Sequence, residues 1–89
     1  MKNCKILGFG SYQDKDTQEQ KLRIVIAYDS KNEKYYGLSV AAAFLDYDAS
    51  FERQLKNYVD NESKYNATYE VSQDIGTKTK ITKIIINEK

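Results

Sequence analysis

Lys21-Leu22-Arg23-Ile24-Val25-Ile26-Ala27-Tyr28 is the stretch on which the fold turns. Leu22, Ile24, Ile26 and Tyr28 share one parity and Lys21, Arg23, Val25 and Ala27 the other, the period-two pattern of a strand with one apolar face. That face belongs inside. The opposite face carries two cations, so the segment reads as the middle of a small sheet whose outer surface can meet something negatively charged.

Strand signals lie on both sides of this centre. Residues 4–13 read as a first strand with Leu7 and Phe9 inward and Tyr12 outward; Gly8 and Gly10 mark a bulge, strong coiling or the close approach of another backbone. The polar turn Asp14-Lys15-Asp16-Thr17-Gln18 folds this strand back onto the second as a hairpin. After Tyr28 a second polar turn, with Asn32 its best left-handed position, leads to a third strand from Tyr35 to Val40. Alternation there puts Tyr36, Leu38 and Val40 in phase on the inner side and Tyr35, Gly37 and Ser39 on the other. Ala41-Ala42-Ala43-Phe44-Leu45 fits either strand or helix.

Beyond it the period changes. Phe51, Leu55, Tyr58 and Val59 recur at helical spacing, with Asp48 or Ser50 as N-cap, Glu52 near the positive end of the dipole and Lys56 four residues beyond it. An amphipathic helix of about three turns against the sheet follows. Tyr65, Ala67, Tyr69 and Val71 then alternate with polar residues as a fourth strand. Gly76 occupies a turn, and Lys78 to Ile86 form a last strand whose Ile84-Ile85-Ile86 run asks for burial on both faces.

The order is therefore β-β-β-α-β-β over one domain, residues 1–89. The expected class is mainly β with an α+β tendency: a five-stranded OB-fold-like barrel, in which closure would remove exposed edges. A simple sheet with a helix on one face is the alternative.

Composition narrows the chemistry. Eighty-nine residues allow one small core, and 30% charged against 40% apolar residues is a folded composition. A thin core makes a dimer a natural supplement. The formal net charge of +1 fits neither an acidic nucleic-acid mimic nor a histone-like binder, although one basic face is compatible with it. There is no His, which removes imidazole bases, Ser-His and Cys-His pairs and His-ligated metals. Asp46 and Asp48 read as a loop end and a helix cap, and Gly8-Phe9-Gly10 is too short for a phosphate loop. A non-enzyme without cofactor or metal is expected. A single cysteine, Cys4, fits a reducing compartment, and the absence of a long apolar run or leader pattern fits a cytoplasmic protein.

Eight tyrosines and no tryptophan are the more informative count. Exposed rings stack bases of any sequence at about 1–3 kcal/mol each, though half-exposed tyrosines are also ordinary strand residues. Tyr12 and Tyr35 fall at the outer side of the first three strands, with Tyr36 beside Tyr35 as a further candidate, and Lys21 and Arg23 would interleave cations with the rings. Lys78 and Lys80, beside Thr77 and Thr79, add hairpin cations that reach phosphate or simply protect an edge. Binding of single-stranded nucleic acid is the first expectation; a small inhibitor or adaptor that blocks a host protein is the second.

The strand order, with Tyr69-Glu70-Val71, Ile75-Gly76 and Ile81-Thr82-Lys83-Ile84, resembles the small single-stranded-DNA-binding proteins of filamentous phages and related mobile elements. The resemblance implies an OB-fold homodimer coating single-stranded DNA during replication. It also implies that Tyr12, Lys21, Arg23, Tyr35, Lys78 and Lys80 form the binding set.

Overall fold

A computed structural model describes residues 2–29, 36–73 and 79–89, with the side chains of Gln73 and Thr79 excepted. Among the described residues, five strands and one α-helix follow in the expected order, with a 3-10 turn at Glu62–Lys64 after the helix: β1 Lys2–Gln13, β2 Gln20–Asp29, β3 Leu38–Asp46, α1 Ala49–Asp60, β4 Tyr65–Gln73 and β5 Thr79–Glu88. The strands make one antiparallel sheet in the order β3-β2-β1-β4-β5.

The sheet does not close into a barrel. Among the described residues β3 and β5 are its two edges; their Cα atoms come within 8 Å of each other, but no ladder joins them. The molecule is correspondingly flattened, with principal extents of 41, 35 and 17 Å.

β2 behaves as its alternation requires. Leu22, Ile24 and Ile26 are 0% exposed at the centre of the core, with Ile6, Ala43, Leu55, Tyr58, Ala67, Tyr69, Ile81 and Ile84 around them. Burying an aliphatic side chain of this size contributes about 1.5–3 kcal/mol.

β1 changes parity midway. Its ladder with β2 steps from Ile6 opposite Ile26 to Gly8 opposite Val25, so Leu7 is the extra residue of a bulge. Ile6 therefore faces in before the bulge and Phe9 packs against the core after it, while Leu7, expected inside, is exposed. The glycines do mark the bulge. They do not mark a close backbone approach, because a Cβ at Gly8 or Gly10 would meet nothing within 4 Å.

β3 corrects the expected facing and resolves the ambiguous run as strand. Ala41, Ala43 and Leu45 turn toward the core, opposite Ile26, Ile24 and Leu22 of β2, whereas Leu38, Val40 and Phe44 are exposed. Small inward side chains let β3 approach β5 closely across the interior. A larger residue on that side would hold the two edges apart.

α1 begins where Asp48 caps it: the carboxylate accepts from the backbone N–H groups of Ser50 at 2.9 Å and Phe51 at 3.2 Å. Leu55 and Tyr58 are buried and Phe51 packs on the core, but Val59, expected on that face, is exposed. Glu52 accepts a hydrogen bond from the Tyr47 hydroxyl at 3.1 Å, which pushes that phenol's pKa up. The Tyr58 hydroxyl accepts from the Ile6 backbone N–H at 3.4 Å, tying the helix to β1 one residue before the bulge.

In β4, Ala67 and Tyr69 are buried, and Tyr69 packs 5.4 Å from Tyr28 between ring centroids. Val71 is exposed because the strand has run past its β1 partner, whose pairing starts at Lys2 opposite Tyr69. In β5, Ile84 is buried and Ile85 half-buried. Cys4 is also half-buried, and burial pushes its thiol up to about 11, which makes it a poor nucleophile at neutral pH.

Candidate nucleic-acid interface

The outer face of β1, β2 and β3 can be read directly from the two ladders. Tyr12 lies opposite Lys21, and Lys21 opposite Asp46; Gly10 lies opposite Arg23, and Arg23 opposite Phe44; Gly8 lies opposite Val25, and Val25 opposite Ala42. These three rows alternate with the buried positions of β2, so all nine residues look away from the core.

Tyr12 and Phe44 stand two strands apart and still meet. Their ring centroids are 6.3 Å apart at 88°, an edge-to-face pair spanning β2. The floor beside them is low, since Gly8 and Gly10 carry no side chain, and a shallow depression there is lined by Tyr12, Arg23 and Val25. Ring faces, ring edges and an open backbone floor lie together in one place.

The cations of this face differ. Lys21 donates to Asp46 and also pairs with Glu19 at 3.4 Å; its side chain is only 23% exposed. The hydrogen bond and charge of Asp46 hold the Lys21 ammonium above its ordinary pKa, and the same bond holds Asp46 below the usual carboxylate value. Lys21 is thus spent on a local pair rather than offered to phosphate. The Arg23 side chain is exposed and makes no ion pair or hydrogen bond among the described residues.

Of the residues expected to form the site, Tyr12, Lys21 and Arg23 are neighbours. Tyr36 precedes β3 and is 90% exposed. Lys80 is exposed on β5 opposite Ser72, where β4 and β5 extend beyond the Lys2 end of β1, while Tyr12 is near the opposite end of that strand. The sheet therefore does not bring Lys80 to the Tyr12 cluster. Tyr35 and Lys78 lie outside the described residues. Sequence reasoning missed Phe44, together with the exposed Val40 and Leu38 on the same strand. The available signal was the alternation of Leu38, Val40, Ala42 and Phe44, which has two large apolar residues more than the inner parity Ser39, Ala41, Ala43 and Leu45.

Among the described residues no group of three or more His, Cys, Asp or Glu is placed to hold a metal ion, and no helix is long and apolar enough to cross a membrane. Comparison with known proteins matches the chain to no family model, no curated protein and no solved structure.

Proposed function

We propose that the outer face of β1–β3 binds single-stranded nucleic acid without sequence preference, as a non-catalytic cytoplasmic protein of a phage or related mobile element. The observation that carries this reading is the Tyr12–Phe44 ring pair beside an uncommitted Arg23 and a glycine floor. Rings supply stacking that tolerates any base, and a guanidinium supplies phosphate contact or a stacking plane. On this reading the strand order, with its near approach of β3 and β5, is that of a partly open OB-type barrel, a class that uses the β2–β3 face for oligonucleotides.

With Lys21 neutralised, the affinity comes mainly from stacking. Fluorescence anisotropy of a labelled oligonucleotide at two salt concentrations tests this. The slope of log K against log salt should be shallow, near −0.7 for each phosphate contacted. Arg23→Glu should weaken binding at low salt, and Phe44→Ala should weaken it at both. No binding by the wild-type chain at low salt, or unchanged binding by both variants, removes the proposal.

A second reading, a protein that docks on and blocks a host factor, draws on the same face. Its support is the apolar surface that continues past the ring pair, where Leu38 is 62% and Val40 64% exposed. A nuclease-resistant, stoichiometric complex with a purified replication or defence protein, in a chain that retains no oligonucleotide, would favour it.

A further inference from the structure

Charge is spread unevenly along the outer face of β1–β3. Arg23 holds the middle row with Gly10 and Phe44. The row of Tyr12, Lys21 and Asp46 lies two residues nearer the β1–β2 turn, about 7 Å along the strand. Lys21 is shared there between Asp46 and Glu19, whose side chains are 89% and 65% exposed. The turn closes directly behind, with the Asp14 N–H donating to the Glu19 carbonyl at 2.8 Å, and Asp48 caps α1 just past Asp46. Residues 13–21 and 46–48 together hold five carboxylates and two lysines, a net charge of −3. In the other direction, the rows Gly8–Val25–Ala42 and Lys5–Ala27–Val40 hold no carboxylate, and Lys5 is paired with Glu62 at 3.0 Å. The first carboxylate of β2 on that side is Asp29, six residues from Arg23 and about 20 Å along the strand.

Resting on the reading of this face as a nucleic-acid site, we infer that it holds a free end of a single strand and rejects a strand running through. A nucleotide inside a strand has a phosphate on each side, a terminal one on one side only. With a base against the Tyr12–Phe44 pair and its phosphate at Arg23, the rest of the strand leaves over the neutral rows toward Val25 and Val40. A strand continuing the opposite way would carry its next phosphate over Asp46, Glu19 and the turn, against like charge. Screening in physiological salt acts over about 8 Å, so the acidic row is felt at Arg23 and the distant Asp29 is not. A terminal nucleotide places no phosphate on the acidic side.

Anisotropy competition on the full chain tests this with two probes: linear oligothymidylate lacking terminal phosphates, and the covalently closed circle of the same length. At low salt the circle should bind about tenfold more weakly, and the difference should shrink as added salt shortens the screening length. Glu19→Gln/Asp46→Asn removes two exposed carboxylates and should raise circle binding more than linear binding, bringing the two affinities close together. Equal binding of circle and linear strand by the wild type overturns the inference and leaves the face a site for passing strands. A circle penalty that persists unchanged in the double variant comes from the curvature of the ring and overturns it too. Loss of linear binding at low salt overturns both this inference and the nucleic-acid reading beneath it.

Discussion

The inner and outer faces of β1–β3 are made from alternate residues of the same strands, and both are largely apolar. Inside, Leu22, Ile24 and Ile26 are 0% exposed. Outside, Phe44 and Val40 are more than half exposed on a strand that turns Ala41 and Ala43 inward. On β3 side-chain size runs mostly opposite to the usual expectation: Ala41 and Ala43 turn inward with Leu45, while Leu38, Val40 and Phe44 are exposed. The inner face is shaped by the room left between β2, β5 and α1. Among the described residues the outer face has no such constraint, and its large side chains are left exposed.

The widest gap between the two faces should appear in stability. Ile24→Ala should cost about 2–5 kcal/mol in denaturant unfolding, because it removes transfer energy and leaves a cavity, whereas Val40→Ser should stay within about 0.5 kcal/mol. Similar losses at both sites would mean that β3 has been assigned the wrong face. In ligand binding the contrast should reverse. Tyr12→Ala should lose about 1–3 kcal/mol of oligonucleotide affinity for the stacked base, with a smaller loss of stability from the broken ring pair. Anisotropy and thermal melting on the same preparation separate the two effects.

The support beneath the inner face comes next. Asp48→Ala removes the acceptor for two N–H groups at the start of α1 and should cost about 1 kcal/mol in unfolding free energy. The smallest effect belongs to the outer pair Lys21–Asp46. The folded-state pKa of Asp46 is lowered, so its contribution is present above the unfolded carboxylate value and fades as pH falls through the folded one. The folded-state pKa of Lys21 is raised, so its contribution is present below the unfolded lysine value and fades as pH rises through the folded one. Between those limits the pair should be flat with pH. Melting temperatures of the wild type and Asp46→Asn, followed from neutral to acid pH, should therefore converge at the acid end; curves that stay parallel would show that the pair does not act in solution.

Where one periodicity dominated, the residues announced their structure. β2 alternates cleanly, Asp48 stands one residue before α1, and Gly8 and Gly10 pointed to the bulge. The first turn was equally clear: Asp14 Oδ1 accepts from the N–H groups of Asp16 and Thr17, and Gln18 takes a φ of 64°. Legibility failed where both parities were apolar. Leu38-Ser39-Val40-Ala41-Ala42-Ala43-Phe44-Leu45 offers hydrophobic residues on either face, so its orientation was decided by the space opposite Ile24 and Ile26, which no local pattern contains. Leu7 was misplaced because a bulge shifts every later residue by one. Val59 came from the broad helical stripe, of which only the Leu55–Tyr58 side meets the sheet. At the site, Tyr12 and Arg23 were legible as outward residues of neighbouring strands. The neutralisation of Lys21 was not, since Asp46 is 25 residues further along the chain.

The bond from the Ile6 amide to the Tyr58 hydroxyl links events that the chain separates by 52 residues. Whenever α1 lifts from the sheet, that acceptor departs with it. Deuterium uptake at Ile6 thus becomes a clock for helix undocking, readable at one backbone position on the strand rather than on the helix itself.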